Sequence, residues 1–295
     1  MQQNPKAILN SDLIGDYLNI ELPGFSGPKQ KPEPCRIHYL TMGSGEPLLL
    51  VPAVGQSIYT FRKLMPFLAK SYCVIAIELP GSGYSDRPFS LNYSMDEMAD
   101  ILVKCLDALE VKRTHALGVT MGAPYLMLAA VRYPDRFMKV IALTPGGISD
   151  KMPKKLRRLE RPLGFLYREL YSKKDFEKYL PMFYYDGTVC DREVVEQVYK
   201  TCDSYASRQA LMYAIRNFDM EYAISEIRKN EREFFIMWGD SDRLQPMERL
   251  FELREQLPNS IYHSIRNTGH WMHEEKAGQI AEAADRYIRY QGEPQ

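Results

Sequence analysis

Five short runs of almost unbroken apolar residues set the strongest limit on what this chain can fold into: Pro47–Pro52 (PLLLVP), Cys73–Leu79 (CVIAIEL), His115–Thr120 (HALGVT), Lys139–Thr144 (KVIALT) and Phe234–Trp238 (FFIMW). A strand with one wet face alternates polar and apolar residues, so continuous runs of this length demand cover on both faces. The cover is supplied by the segments between and after them. Ile58–Ala69, Ser94–Glu110, Met121–Tyr133, Met247–Gln256 and Glu274–Tyr290 carry apolar residues at helical spacing. Ser94 followed by Glu97 forms a capping box that marks one helix start. The pattern predicts an α/β fold, a mostly parallel central sheet with helices on both faces. Tyr17–Leu22 and Arg36–Leu40 are expected to form a leading antiparallel hairpin, joined by the Pro/Gly-rich stretch Pro23–Pro34.

The alternation breaks over residues 150–230, which are helical in pattern throughout and rich in Tyr and Phe. The expected organisation is a core made of 1–149 and 231–295 with a helical cap inserted at 150–230. The basic start of the insertion, Lys151–Arg161, spaces Met152, Leu156 and Leu159 for one apolar face. A solvated surface helix is the plain reading, with membrane-surface contact as the lesser alternative. Thirty-eight basic residues balance 38 acidic ones, so no net field would hold a polyanion, and nucleic acid is not an expected partner. The five scattered cysteines show no metal-ligand spacing and fit a reducing compartment. With no signal-like amino terminus and no run of membrane-spanning length, a cytoplasmic protein is expected.

The chemistry concentrates at Gly118-Val119-Thr120-Met121-Gly122, between an apolar strand and a predicted helix with Pro124 in its first turn. A small–x–nucleophile–x–small sequence in that setting is the sharp turn that lifts one side chain above a sheet. Three further stretches follow in order: Glu78-Leu79-Pro80-Gly81-Ser82-Gly83-Tyr84-Ser85, Trp238-Gly239-Asp240-Ser241-Asp242 and Asn267-Thr268-Gly269-His270-Trp271. Together they resemble the α/β-hydrolase superfamily over nearly the whole chain outside the insertion and the first thirty residues. The resemblance implies Thr120 as nucleophile, His270 as general base and Asp242 as the acid that orients it. It also implies an oxyanion hole from the backbone N–H groups of Val54 and Met121, and no metal or organic cofactor. Asp240 competes with Asp242 and is read as a turn residue. His273 competes with His270 and is given a capping or surface role, while His38, His115 and His263 are read as structural.

Three departures cluster at this site: threonine replaces the usual serine, Val119 stands where many relatives place histidine, and Pro52-Ala53 replaces the usual His-Gly before the oxyanion donor. Threonine keeps the hydroxyl, but its γ-methyl adds strain at a tight turn and fixes χ1. The primary expectation is a hydrolase acting on a small to medium apolar or aromatic ester-type substrate. The alternatives are a lyase or cyclase of the same fold using His270 as acid/base, and a ligand-binding protein without turnover. A carboxylate at the elbow would be needed for epoxide hydrolysis or dehalogenation, and threonine argues against both. Eight aromatic residues between Phe165 and Tyr185 suggest an apolar wall above the site, with Gly187 and Pro145-Gly146-Gly147 as candidate hinges.

Overall fold

The structure, a computed structural model, describes residues 15–22, 32–147 and 172–290. The basic segment Lys151–Arg161 and the aromatic residues Phe165, Tyr167 and Tyr171 lie outside the described residues. So does most of the Pro23–Pro34 linker. The strands are β1 (Asp16–Leu22), β2 (Glu33–Met42), β3 (Glu46–Val51), β4 (Tyr72–Ile77), β5 (Thr114–Val119), β6 (Phe137–Leu143), β7 (Phe235–Gly239) and β8 (Ile261–Ile265). They form one sheet in the order β1-β2-β4-β3-β5-β6-β7-β8. β2 runs antiparallel to β1 and β4, and every other pair is parallel.

The helices are α1 (Met65–Leu68), α2 (Met95–Ala108), α3 (Gly122–Arg132), α4 (Lys173–Tyr179), α5 (Arg192–Cys202), α6 (Tyr205–Asn217), α7 (Met220–Arg228), α8 (Met247–Gln256), α9 (Met272–Glu275) and α10 (Ala277–Arg289). The sheet divides the core in two. Leu49, Val51, Ala116, Val140 and Trp238 point to one side, against α2, α3 and α8. Leu48, Leu50, Leu117, Ile141 and Met237 point to the other, against α1 and α10. Successive residues of one strand thus serve opposite faces, which is why their sequence shows no polar alternation. Among the described residues between β6 and β7 there are only helices and turns; Ile224 and Ile227 of α7 join the larger core on the α3 side.

Two helices expected from periodicity are interrupted. Ile58–Ala69 divides into a 3₁₀ turn at Ile58–Phe61 and the short α1. Pro66 has no N–H to donate back along a continuous helix but is tolerated in a first turn, so the helix restarts there. The C-terminal helix breaks at Lys276, whose backbone leaves helical geometry (φ −128°, ψ 37°) between α9 and α10. No helix among the described residues is long and apolar enough to cross a membrane.

Candidate active site

Thr120 follows β5 directly and has φ +48°, in the left-handed region that β-branched residues avoid. The neighbouring glycines explain how the turn closes. A Cβ on Gly118 would lie 2.6 Å from Ala123 Cα, and one on Gly122 would lie 2.3 Å from Pro52 O. The Thr120 N–H donates to Leu143 O at 3.0 Å and its carbonyl accepts from Ala123 N at 3.2 Å, so the elbow is stitched to the end of β6 and the start of α3. Strain of this kind costs about 1 to 3 kcal/mol and persists only where surrounding contacts over-determine it.

The loops after β7 and β8 bring Asp242 and His270 together. Asp242 Oδ2 lies 2.7 Å from His270 Nδ1, and Asp242 Oδ1 accepts from the backbone N–H of Leu244 (2.8 Å) and Gln245 (2.9 Å). A buried carboxylate so engaged faces the imidazole as an acceptor, which assigns the ring proton to Nδ1 and leaves Nε2 with a lone pair. The two loops are joined by Ser241 N donating to Thr268 O at 3.0 Å, and Gly239 permits the approach because a Cβ there would meet Gly269 O at 2.4 Å. Asp240 is exposed and takes a bond from the Ser241 hydroxyl at 2.7 Å.

Thr120, Val54, Met121 and His270 line one pocket of about 190 Å³, walled by Phe176, Phe183, Leu211 and Trp271 among others. No hydrogen bond joins the Thr120 and His270 side chains among the described residues. The loop carrying Val54 forms a turn closed by Gln56 N donating to Ala53 O at 3.0 Å. Gly55 occupies its third position with φ +85°, so the conformational freedom that Pro52-Ala53 lack is supplied two residues on. The Ser82 hydroxyl accepts from Gly55 N at 3.0 Å, giving the Gly81–Gly83 loop a part in holding this turn. Among the described residues, neither the Val54 nor the Met121 N–H has a protein acceptor.

His273 departs from its expected capping or surface role, because it is fully buried and makes no cap hydrogen bond. Its Nε2 lies 2.5 Å from Thr60 Oγ1, and burial, aided by the nearby His270, Arg62 and Lys63, lowers its pKa from 6.5 to about 3. Beside it, Arg62 and Glu274 form a two-pronged buried ion pair (2.8 and 2.9 Å) completed by the Tyr184 hydroxyl at 2.8 Å from Glu274. Sequence reasoning missed this network; its members are distant in the chain and no spacing rule links them. His38 is buried 3.0 Å from Glu78, and His115 lies 3.4 Å from Glu46. His263 lies within β8 with its ring 6.2 Å from that of Phe235. Among the described residues no three His, Cys, Asp or Glu side chains group as a metal site.

Comparison with known proteins agrees with this architecture. A family model described as the alpha/beta hydrolase fold matches residues 46–189. The chain is 28% identical over 254 residues to the uncharacterized hydrolase YugF of Bacillus subtilis (strain 168), covering 85% of this chain and 93% of that protein. It is 26% identical over 248 residues to a 2-hydroxymuconate semialdehyde hydrolase of Pseudomonas sp. (strain CF600), covering 81% and 85% respectively. The solved structure of a meta-cleavage product hydrolase from Pseudomonas fluorescens IP01 superposes with a TM-score of 0.70 at 22% identity, over 86% of this chain and 94% of the other.

Proposed function

This chain has the α/β-hydrolase fold, and from that premise we propose that it is a hydrolase of small to medium apolar or aromatic ester-type substrates, with Thr120, His270 and Asp242 as its triad and residues 150–230 as a cap over the pocket. The observation that carries the reading is the convergence on one apolar pocket of a strained hydroxyl, an imidazole fixed by a buried carboxylate, and two backbone N–H groups that have no protein acceptor among the described residues.

In this mechanism Thr120 Oγ1 attacks the substrate carbonyl while His270 Nε2 takes its proton, and Asp242 stabilises the resulting imidazolium through Nδ1–H. The oxyanion is received by Val54 and Met121 N–H, each such donor contributing about 3 kcal/mol to the transition state. His270 then protonates the departing alkoxide, and a water molecule activated by the same nitrogen releases the acid and restores the threonine. A pocket of about 190 Å³ accepts a group little larger than an aromatic ring, since cavities of roughly 150 Å³ bind benzene.

Cleavage of a carbon–carbon bond next to a ketone is the second reading, supported by relatives named 2-hydroxymuconate semialdehyde hydrolase and 2-hydroxy-6-oxo-2,4-heptadienoate hydrolase at 26% identity. It uses the same base and oxyanion donors.

The test is turnover of aryl and short-chain activated esters, alongside a 2-hydroxy-6-oxo-dienoate, by the wild type and by Thr120→Ser, Thr120→Ala and His270→Ala. Loss of roughly 10³-fold or more in both alanine variants supports the triad. An inert wild type beside an active Thr120→Ser would refute hydrolysis by Thr120 while leaving the scaffold reading intact.

A further inference from the structure

The helical insertion meets the His270 loop through three consecutive residues, each held by a different group. Phe183 O accepts from Trp271 N at 2.9 Å, the Tyr184 hydroxyl donates to Glu274 Oε2 at 2.8 Å, and Tyr185 N donates to Glu275 Oε1 at 2.9 Å. The other oxygen of Glu275 accepts from Gly269 N at 2.7 Å, so one carboxylate spans the insertion and the residue just before His270. Gly269 makes the contact possible, because a Cβ there would lie 2.5 Å from Tyr185 N and 2.8 Å from Phe183 O. This seating brings the Phe183 ring edge-on to His270, with centroids 5.7 Å apart and planes at 67°. Asp242 holds only the Nδ1 corner of the ring, and a single hydrogen bond leaves an imidazole free to tilt about it.

We propose that Glu275 is a positioning residue for His270: by bridging Gly269 and Tyr185 it seats Phe183 of the insertion against the imidazole and fixes the tilt that aims Nε2 at Thr120. The inference rests on the reading of His270 as the base. An ionised carboxylate presents an acceptor to each N–H at once. An amide of the same size presents one acceptor and one N–H, which would face another N–H. Only half-buried, Glu275 tolerates that exchange without loss of the core.

The experiment uses the full chain carrying Glu275→Gln, and Phe183→Leu as a second variant should the first not fold. The measurements are kcat and KM for the best ester, the His270 Nδ1–H proton resonance, and amide exchange at Gly269 and Tyr185. The expected result is a 10- to 100-fold loss in kcat with KM within a few-fold and a broadened or shifted Nδ1–H resonance in either variant, and in Glu275→Gln also faster exchange at both amides. Wild-type kcat and an unchanged resonance in the folded variants would overturn the proposal, because a contact that only stabilises would move the melting temperature alone. If the wild type turns over no ester, the functional reading fails separately; the resonance and the exchange rates still decide whether Glu275 orders the ring.

Discussion

His273 offers a direct measurement of what this fold loses when it is acidified. Its ring is wholly buried, with Nε2 against Thr60 Oγ1 and Nδ1 without any partner among the described residues. Protonation would place a positive N–H in the core with no acceptor, beside Arg62, which explains the direction of its pKa change from 6.5 to about 3. Because the folded state releases this proton more readily than the unfolded chain, the unfolded state binds more protons between those two values. Stability is therefore greatest above about pH 6.5 and falls as the pH drops toward 3. The full difference corresponds to roughly 5 kcal/mol, of which about 2 kcal/mol is lost between pH 7.5 and pH 5. The perturbation is His273→Gln, which can keep a donor near Thr60 and cannot titrate. Urea unfolding followed by tryptophan fluorescence at several pH values gives the free energy of each protein, and subtraction removes the acidic groups common to both. The variant should be less stable at pH 7.5 yet lose about 2 kcal/mol less than the wild type on going to pH 5. Parallel curves for the two proteins would refute the argument, whatever their offset.

Two further predictions concern the elbow. Thr120→Gly removes a β-branched residue from φ +48° and should raise unfolding stability by about 1 kcal/mol while eliminating ester turnover, as checked by thermal denaturation and the same assay. An unchanged or lower stability would mean that Thr120 makes contacts that offset its backbone strain. Gly122→Ala forces a methyl to within 2.3 Å of Pro52 O and should destabilise the protein by about 1 to 3 kcal/mol; a neutral result in denaturant unfolding would show that the first turn of α3 can move.

The buried strands were legible because burial on both faces leaves a continuous apolar signature, and Leu48 to Val51 is the plainest case. The carriers of the candidate site were legible for a related reason. Gly118, Gly122, Gly239 and Gly269 stand where a side chain would collide with backbone, so the motifs are constrained by sterics over a few residues. What could not be read depends on contacts between distant segments. His273 looked like a surface residue because its helix position says nothing of the 3₁₀ turn that brings Thr60 against it. The role of Ser82 in holding Gly55, and the bridge from Glu275 to Tyr185, are likewise invisible to any local rule. Periodicity overstated the two helices broken at Pro66 and Lys276, since it registers which face is apolar and not whether the backbone is continuous.

The scattering of the site along the chain has a consequence for how the molecule comes into being. The elbow hydroxyl is made early, whereas Asp242 and His270 lie after β7 and β8 at one flank of the sheet. A nascent chain that has ordered β3 to β6 already holds Thr120 at its left-handed turn, but it has neither Asp242 nor His270. The two tryptophans divide this history between them: Trp238 lies in β7, in the layer beside α8, and Trp271 lies in the His270 loop against Phe183 and Tyr184. Each therefore sits in a different environment, one in a strand of the sheet and one in the His270 loop, and the two give separate optical signals of the same folding reaction.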